Sequence, residues 1–178
     1  RDEYGQTMLQ KFYANQDKYS FAFQMMAYIS RLKILKDAVD NIKNKSGYYI
    51  IITERSLYTD KHVFAKMLFN QNHIEDVCYQ IYNNWFDLFA KDYNIKEIIY
   101  VKTNPEICYN RVHKRNRNGE ETIPLEYLNE CHNYHETFLE EMKLTNKLLL
   151  DGNIDIYECP NELNNWLNQI EKMLFIDL

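Results

Sequence analysis

Arg111, Arg115 and Arg117 set three guanidinium groups within the run Arg-Val-His-Lys-Arg-Asn-Arg of an otherwise acidic chain. A guanidinium keeps its charge and offers paired, fork-like hydrogen bonds, so arginines at this spacing can converge on the oxygens of a polyphosphate. The i, i+4, i+6 pattern suits a helix end that runs into a mobile loop. Asn-Gly-Glu-Glu and then Ile-Pro-Leu-Glu-Tyr-Leu supply that turn and a new helix start. A basic run is more often a solvated face. Here it has a counterpart upstream, Glu54-Arg55-Ser56, directly after an apolar run. A carboxylate there can hold Mg²⁺, directly or through water, while the guanidinium orients a hydroxyl or a transferring phosphoryl group. The two motifs together fit phosphoryl transfer, which needs positioning and neutralisation of spreading negative charge.

Phe23-Gln24 and Phe64 are candidates for a recognition pocket. A glutamine amide presents a donor beside an acceptor, which matches the Watson–Crick edge of cytosine or adenine, and aromatic rings can sandwich a base. The apolar neighbours of Gln24 favour a buried position, where an amide needs a partner. His132, His135 and Glu136 have helical spacing, but two histidines without a third clear ligand read as packing rather than a metal site.

These side chains have to be placed by regular elements. Residues 19–43 read as one long helix, apolar around more than one stripe and so expected to be buried on several sides. Residues 48–53 form a β-branched and aromatic run, expected as a central parallel strand that delivers Glu54 and Arg55 at its carboxyl end. Helices are expected at 58–70 and 73–92, and a second strand at 97–101. Asn104-Pro105-Glu106 opens a helix that carries the basic run at its end. Pro124 opens another to about 144; a third strand at 154–157 and a helix from about 161 follow. Strands separated by helices imply an α/β fold, a parallel sheet flanked by helices, with ligands beyond the carboxyl ends of the strands.

The chain has 178 residues, 46% of them hydrophobic, enough for a single domain over 1–178 with a sizeable core. A net charge of -5 argues against nucleic-acid or anionic-membrane partners, while leaving a nucleotide ligand open. No apolar run is long enough to span a membrane. The scattered cysteines Cys78, Cys108, Cys131 and Cys159 read as reduced thiols of a cytosol-like compartment.

The chain resembles the deoxyribonucleoside kinases related to deoxycytidine, deoxyguanosine, mitochondrial thymidine and bacterial deoxyadenosine kinases. The resemblance is carried by Leu9 to Tyr13, Tyr19 to Gln24, Glu54-Arg55-Ser56 with Tyr58 and Asp60, Arg111 to Arg117, and Ile123 to Leu128, in that order. It implies a P-loop kinase-like fold and transfer of phosphate from ATP or another nucleoside triphosphate, with Mg²⁺, to the 5′-hydroxyl of a deoxynucleoside, as in nucleotide salvage. By resemblance, Tyr13 and Glu120 would bind the sugar 3′-hydroxyl, and Gln24 the base. Phe23 and Phe64 would pack on the base faces, and Leu9 would line the pocket. Arg55 would lie near the 5′-hydroxyl with Glu54 on the magnesium side. Arg111, Arg115 and Arg117 would form a lid, about 111–121, over the donor phosphates. Arg31 and Asp60 would face the base edge as a charged pair, favouring deoxyadenosine, deoxycytidine or deoxyguanosine over thymidine. A homodimer through the long helix is also implied.

The chain departs from the family at one place. The family's G-x-x-x-x-G-K-[ST] loop, its first strand and the glutamate that follows have no counterpart, since Gly5, Gly47, Gly119 and Gly152 begin no such motif. Either upstream residues belong to the protein or the chain is a remnant that binds without transferring phosphate. The retained polar positions favour the former, which also leaves a mitochondrial address open beside the cytoplasmic one. A deoxynucleoside monophosphate kinase is the nearest enzymatic rival.

Overall fold

The structure is a computed structural model that describes residues 1–117, 119–120, 122–143 and 145–175. Asn118 and Glu121 of the expected lid, and Leu144 at an expected helix end, lie outside the described residues.

Helix α1 (Met8–Ala14) starts in a capping box: Thr7 Oγ1 accepts from the Gln10 amide and Gln10 Oε1 accepts from the Thr7 amide at 2.8 Å. Asn15 then caps α2 (Gln16–Ile42) through the Lys18 amide, so the long helix begins three residues earlier than predicted. Its burial also differs from the expectation of several covered sides. Ser20, Gln24 and Tyr28, at i, i+4 and i+8, form one buried stripe, while Met26, Ile29 and Ile34 are exposed.

The helix predicted at 58–70 is α3 (Leu57–Thr59), a π-helical stretch (Asp60–Ala65) and α4 (Lys66–Asn70). Ser56 caps it, its Oγ accepting from the Thr59 amide at 3.0 Å. Over this stretch Leu57 and Ala65 enter the core, while Asp60 and Phe64 reach a cleft on the other side. π-Turns of this kind concentrate at functional sites. Helix α5 (Asp76–Phe89) then packs across α2 and the π stretch. Tyr28, Leu57, Tyr82 and Phe86 form one core cluster; Phe12, Met67, Leu68 and Ile74 form a second beneath α1. Each such side chain contributes about 1.5–3 kcal/mol on burial. The Tyr28 hydroxyl donates to the Trp85 carbonyl at 3.1 Å, so one phenol of the first cluster is satisfied.

Two strands form a parallel sheet: β1 (Glu97–Lys102) pairs in register with β2 (Asn146–Asp151). They are joined by α6 (Pro105–Arg115) and α7 (Leu125–Glu141), a helical crossover of the kind parallel pairing requires. Pro105 stands in the first turn of α6, and Asn116, left-handed at φ 48°, ends it between Arg115 and Arg117. Helix α8 (Pro160–Phe175) closes the described chain. The molecule is thus a helix-rich α/β protein. Among the described residues no helix is long and apolar enough to cross a membrane.

Two predicted strands are corrected. Residues 154–157 are a turn: Asp155 Oδ1 accepts from the Tyr157 amide, and its carbonyl accepts from Glu158 and Cys159. The second strand is instead β2, whose Asn-Lys-Leu-Leu-Leu-Asp lacks β-branched residues. Residues 48–53 belong to no ladder and are exposed, from 38% at Ile51 to 91% at Tyr48. Strand preference expresses packing against neighbours, and among the described residues no strand lies beside this run.

Candidate active site

A cleft of about 520 Å³ opens at the carboxyl end of β1, where Tyr100, Val101 and Thr103 form its edge. Leu9 and Tyr13 reach it from α1, Phe23, Gln24 and Arg31 from α2, and Asp60 and Phe64 from the π stretch. Glu54 and Arg55 enter from the segment before α3; Arg115, Arg117 and Glu120 come from the turn after α6. Every site residue predicted above therefore lines this one cleft except Arg111. Its Nη1 donates to the Gly152 carbonyl at 2.6 Å, and it fastens α6 to the turn after β2. Gly152 is required there, because a Cβ would lie 2.1 Å from Thr103 Oγ1.

Gln24 is 2% exposed, lines the cleft, and its amide has no hydrogen-bond partner among the described residues. A buried amide without a partner is costly, so its donor and acceptor are available to whatever fills the cleft. Phe23 beside it stacks on Phe12 with centroids 4.5 Å apart, which fixes the ring as a flat wall. Arg31 Nε donates to Asp60 Oδ2 at 2.8 Å, and its Nη1 to the Glu54 carbonyl at 2.8 Å. One guanidinium thereby ties α2 to both the π stretch and the segment that carries Glu54. Burial pushes the Asp60 carboxyl above its ordinary value, while Arg31 and then Arg55 pull it back. The arginine opposes the desolvation without overcoming it.

Arg55 has a left-handed backbone at φ 63°, uncommon for a residue with a side chain. The Thr53 hydroxyl donates to its carbonyl at 2.7 Å, and its guanidinium lies 4.6 Å from the centroid of Phe64. That cation–π contact aims a permanent charge along the cleft wall. Glu120, only 7% exposed, accepts from Arg115 at 2.5 Å and from Arg117 at 3.5 Å. Burial, then the nearby Cys131 and Glu120, push the Tyr13 phenol up to about 12, so it serves as a neutral hydrogen-bonding group.

Glu54 is exposed on the cleft wall. Among the described residues no group of three or more His, Cys, Asp or Glu could cage a metal. A single carboxylate still fits Mg²⁺, which keeps several waters and commonly takes one or two carboxylates plus substrate phosphates.

Five lining residues of α7 escaped the sequence reading as site residues: Leu128, His132 and the row Tyr127, Cys131 and His135. The i, i+4, i+8 spacing of that row was the available signal. The His135 Nδ1–H donates to the Cys131 carbonyl at 2.6 Å, and its ring meets Phe64 edge-on. Burial pushes the Cys131 thiol up to about 11, which removes its reactivity.

The chain is similar to proteins that are already known. The family model described as deoxynucleoside kinase matches residues 1–175. A fowlpox virus protein named as a probable deoxycytidine kinase is 39% identical over 140 residues, covering 77% of this chain and 57% of its own. Deoxycytidine kinase 1 of Xenopus laevis is 30% identical over 183 residues, covering 96% of this chain and 69% of its own. The mitochondrial deoxyguanosine kinase of Xenopus laevis is 30% identical over 174 residues, covering 89% and 66%. The chain thus spans between about half and about two thirds of the length of the curated relatives it matches. With nearly its whole length matched, the chain belongs to the deoxynucleoside kinase family.

Proposed function

We propose that the cleft binds a deoxynucleoside and serves phosphate transfer from ATP, or another nucleoside triphosphate, to its 5′-hydroxyl, as nucleotide salvage requires. The observation that carries this reading is Gln24, a buried amide in the cleft with no hydrogen-bond partner among the described residues. A base edge offers the complementary donor and acceptor. The Arg31–Asp60 pair lines the same cleft, and its carboxylate would accept from an exocyclic amine. Deoxycytidine, deoxyadenosine and deoxyguanosine carry such an amine and thymidine does not. Relatives named for deoxycytidine and deoxyguanosine support this choice.

Tyr13, Glu120 and Arg55 line the cleft; the first two would bind the sugar 3′-hydroxyl and Arg55 would lie near the 5′-hydroxyl. Arg115 and Arg117 would neutralise the donor phosphates, whose charge spreads during transfer. Bound Mg²⁺, held by Glu54 and the phosphates, would neutralise the same charge. The exposed stripe Val77, Ile81, Trp85 and Leu88 on α5 supports the homodimer. The glycine-rich phosphate cradle is not encoded in these residues. A second reading, nucleoside binding without transfer, draws on the retained nucleoside side of the cleft.

Calorimetry of the four deoxynucleosides against this chain, with kcat/KM on the full-length protein, tests both readings. Binding with turnover and thymidine disfavoured is the expected result. Binding without turnover by the full-length protein selects the second reading, and absence of binding removes both.

A further inference from the structure

Tyr82 of α5 is fully buried, and its hydroxyl has no hydrogen-bond partner among the described residues. Buried phenols usually find one. The ring packs in the cluster formed by Tyr28, Leu57 and Ala65, 5.6 Å between centroids from Tyr28. Those neighbours belong to the two elements that carry the charged pair. Tyr28 lies three residues before Arg31 on α2, and Leu57 and Ala65 bracket Asp60 along the chain. The phenol therefore belongs to the core cluster that these two elements share, and it does not line the cleft.

The charges around that hydroxyl agree. Burial pushes the Tyr82 phenol far above its ordinary value, and Asp60 is the next largest cause, ahead of Tyr28 and Tyr79, with Arg31 opposing. The hydroxyl is therefore neutral and able to donate. Asp60 in turn is raised by its own burial and feels Arg31 and Arg55. A carboxylate has about four acceptor sites, of which Arg31 Nε takes one.

We propose that Tyr82 is a positioning residue for Asp60: its hydroxyl donates to the carboxylate, directly after a small side-chain movement or through one bridging water, and so fixes the group that selects the base. The hydrogen bond would hold the carboxylate plane that Arg31 grips from one edge. Its consequence for specificity rests on the nucleoside-binding reading above; its consequence for Asp60 does not.

The test is a Tyr82→Phe substitution in the full-length protein, with Tyr28→Phe as control. The control removes a buried hydroxyl of the same cluster that is already bonded to the Trp85 carbonyl. The carboxyl carbon of Asp60 is followed by ¹³C NMR as a function of pH in both variants. Loss of one donor in Tyr82→Phe raises the Asp60 midpoint by about half a pH unit or more, and the control leaves it in place. In steady-state kinetics Tyr82→Phe raises KM for the preferred deoxynucleoside about three- to tenfold with kcat near wild type, and narrows the preference over thymidine. An unchanged Asp60 midpoint together with an unchanged preference overturns the proposal and leaves Tyr82 a packing residue. A moved midpoint in a protein that turns over no deoxynucleoside supports the positioning role and refutes the kinase reading instead.

Discussion

Gln24 joins near-complete burial to an amide that lines the cleft and has no protein partner among the described residues. Its replacement should separate stability from binding. Gln24→Leu removes a desolvated amide of similar volume, so thermal unfolding is expected at an unchanged or higher temperature. Deoxynucleoside affinity should fall by about 2–3 kcal/mol, about 30- to 150-fold, as read by calorimetry. Equal losses of stability and affinity would count against a ligand-facing amide. The sequence shows this residue clearly, because an amide set among apolar helix positions needs a partner. The same reasoning found Phe23 and Phe64, and chemistry-bearing residue types pointed to Glu54 and Arg55. It misplaced Arg111, since three arginines in a row of helix and turn look alike in one dimension. Only the fold turns Arg111 toward the Gly152 carbonyl and its two neighbours toward the cleft.

Among elements, the helices were legible where Pro marked the start, as at Pro105 and Pro124, and the long helix was read three residues late because its Asn15 cap was missed. Strands were not, because they depend on what lies beside them. Residues 48–53 have high strand preference and no ladder, whereas the leucine-rich β2 is paired throughout. The π stretch has no composition signature either. It does have a titration consequence. His62 within it stacks on Phe138, and His135 of α7 meets Phe64 edge-on. Burial lowers both imidazoles below their ordinary value near 6.5, with Lys61 adding to the effect at His62. A histidine lowered in this way stays neutral in the folded chain after it has charged in the unfolded one. Its contribution to stability is complete above pH 6.5 and is lost as pH falls from 6.5 through the folded value. Urea midpoints measured from pH 7.5 to 5 should therefore decline, and His62→Phe should flatten the decline. A midpoint that rises on acidification would contradict the burial of these rings.

At the scale of the whole molecule, the exposed apolar surface includes two patches besides the outer face of α2. One is the α5 stripe, where Trp85 stacks on Phe89 yet remains 47% exposed. If two copies meet there, Trp85→Glu gives a monomer in sedimentation velocity at micromolar concentration while leaving helical circular dichroism intact. A wild-type monomer under the same conditions would remove the homodimer. The other is the run ending at Ile52, 68% exposed, an apolar segment of high strand preference that is open to pairing with another chain. Replacing Ile50 and Ile52 with Lys should raise the solubility of this chain, with light scattering as the readout. Finally, the contact of Glu120 with Arg115 and Arg117 would, under the kinase reading proposed above, set an order of arrival. In the empty cleft one carboxylate partly offsets two guanidinium groups, which lowers the positive charge offered to a triphosphate. A sugar hydroxyl that engaged Glu120 would loosen that hold, so the donor is expected to bind about tenfold more tightly once the acceptor is seated. In Glu120→Gln, titration of the donor should give the same dissociation constant whether or not the acceptor came first.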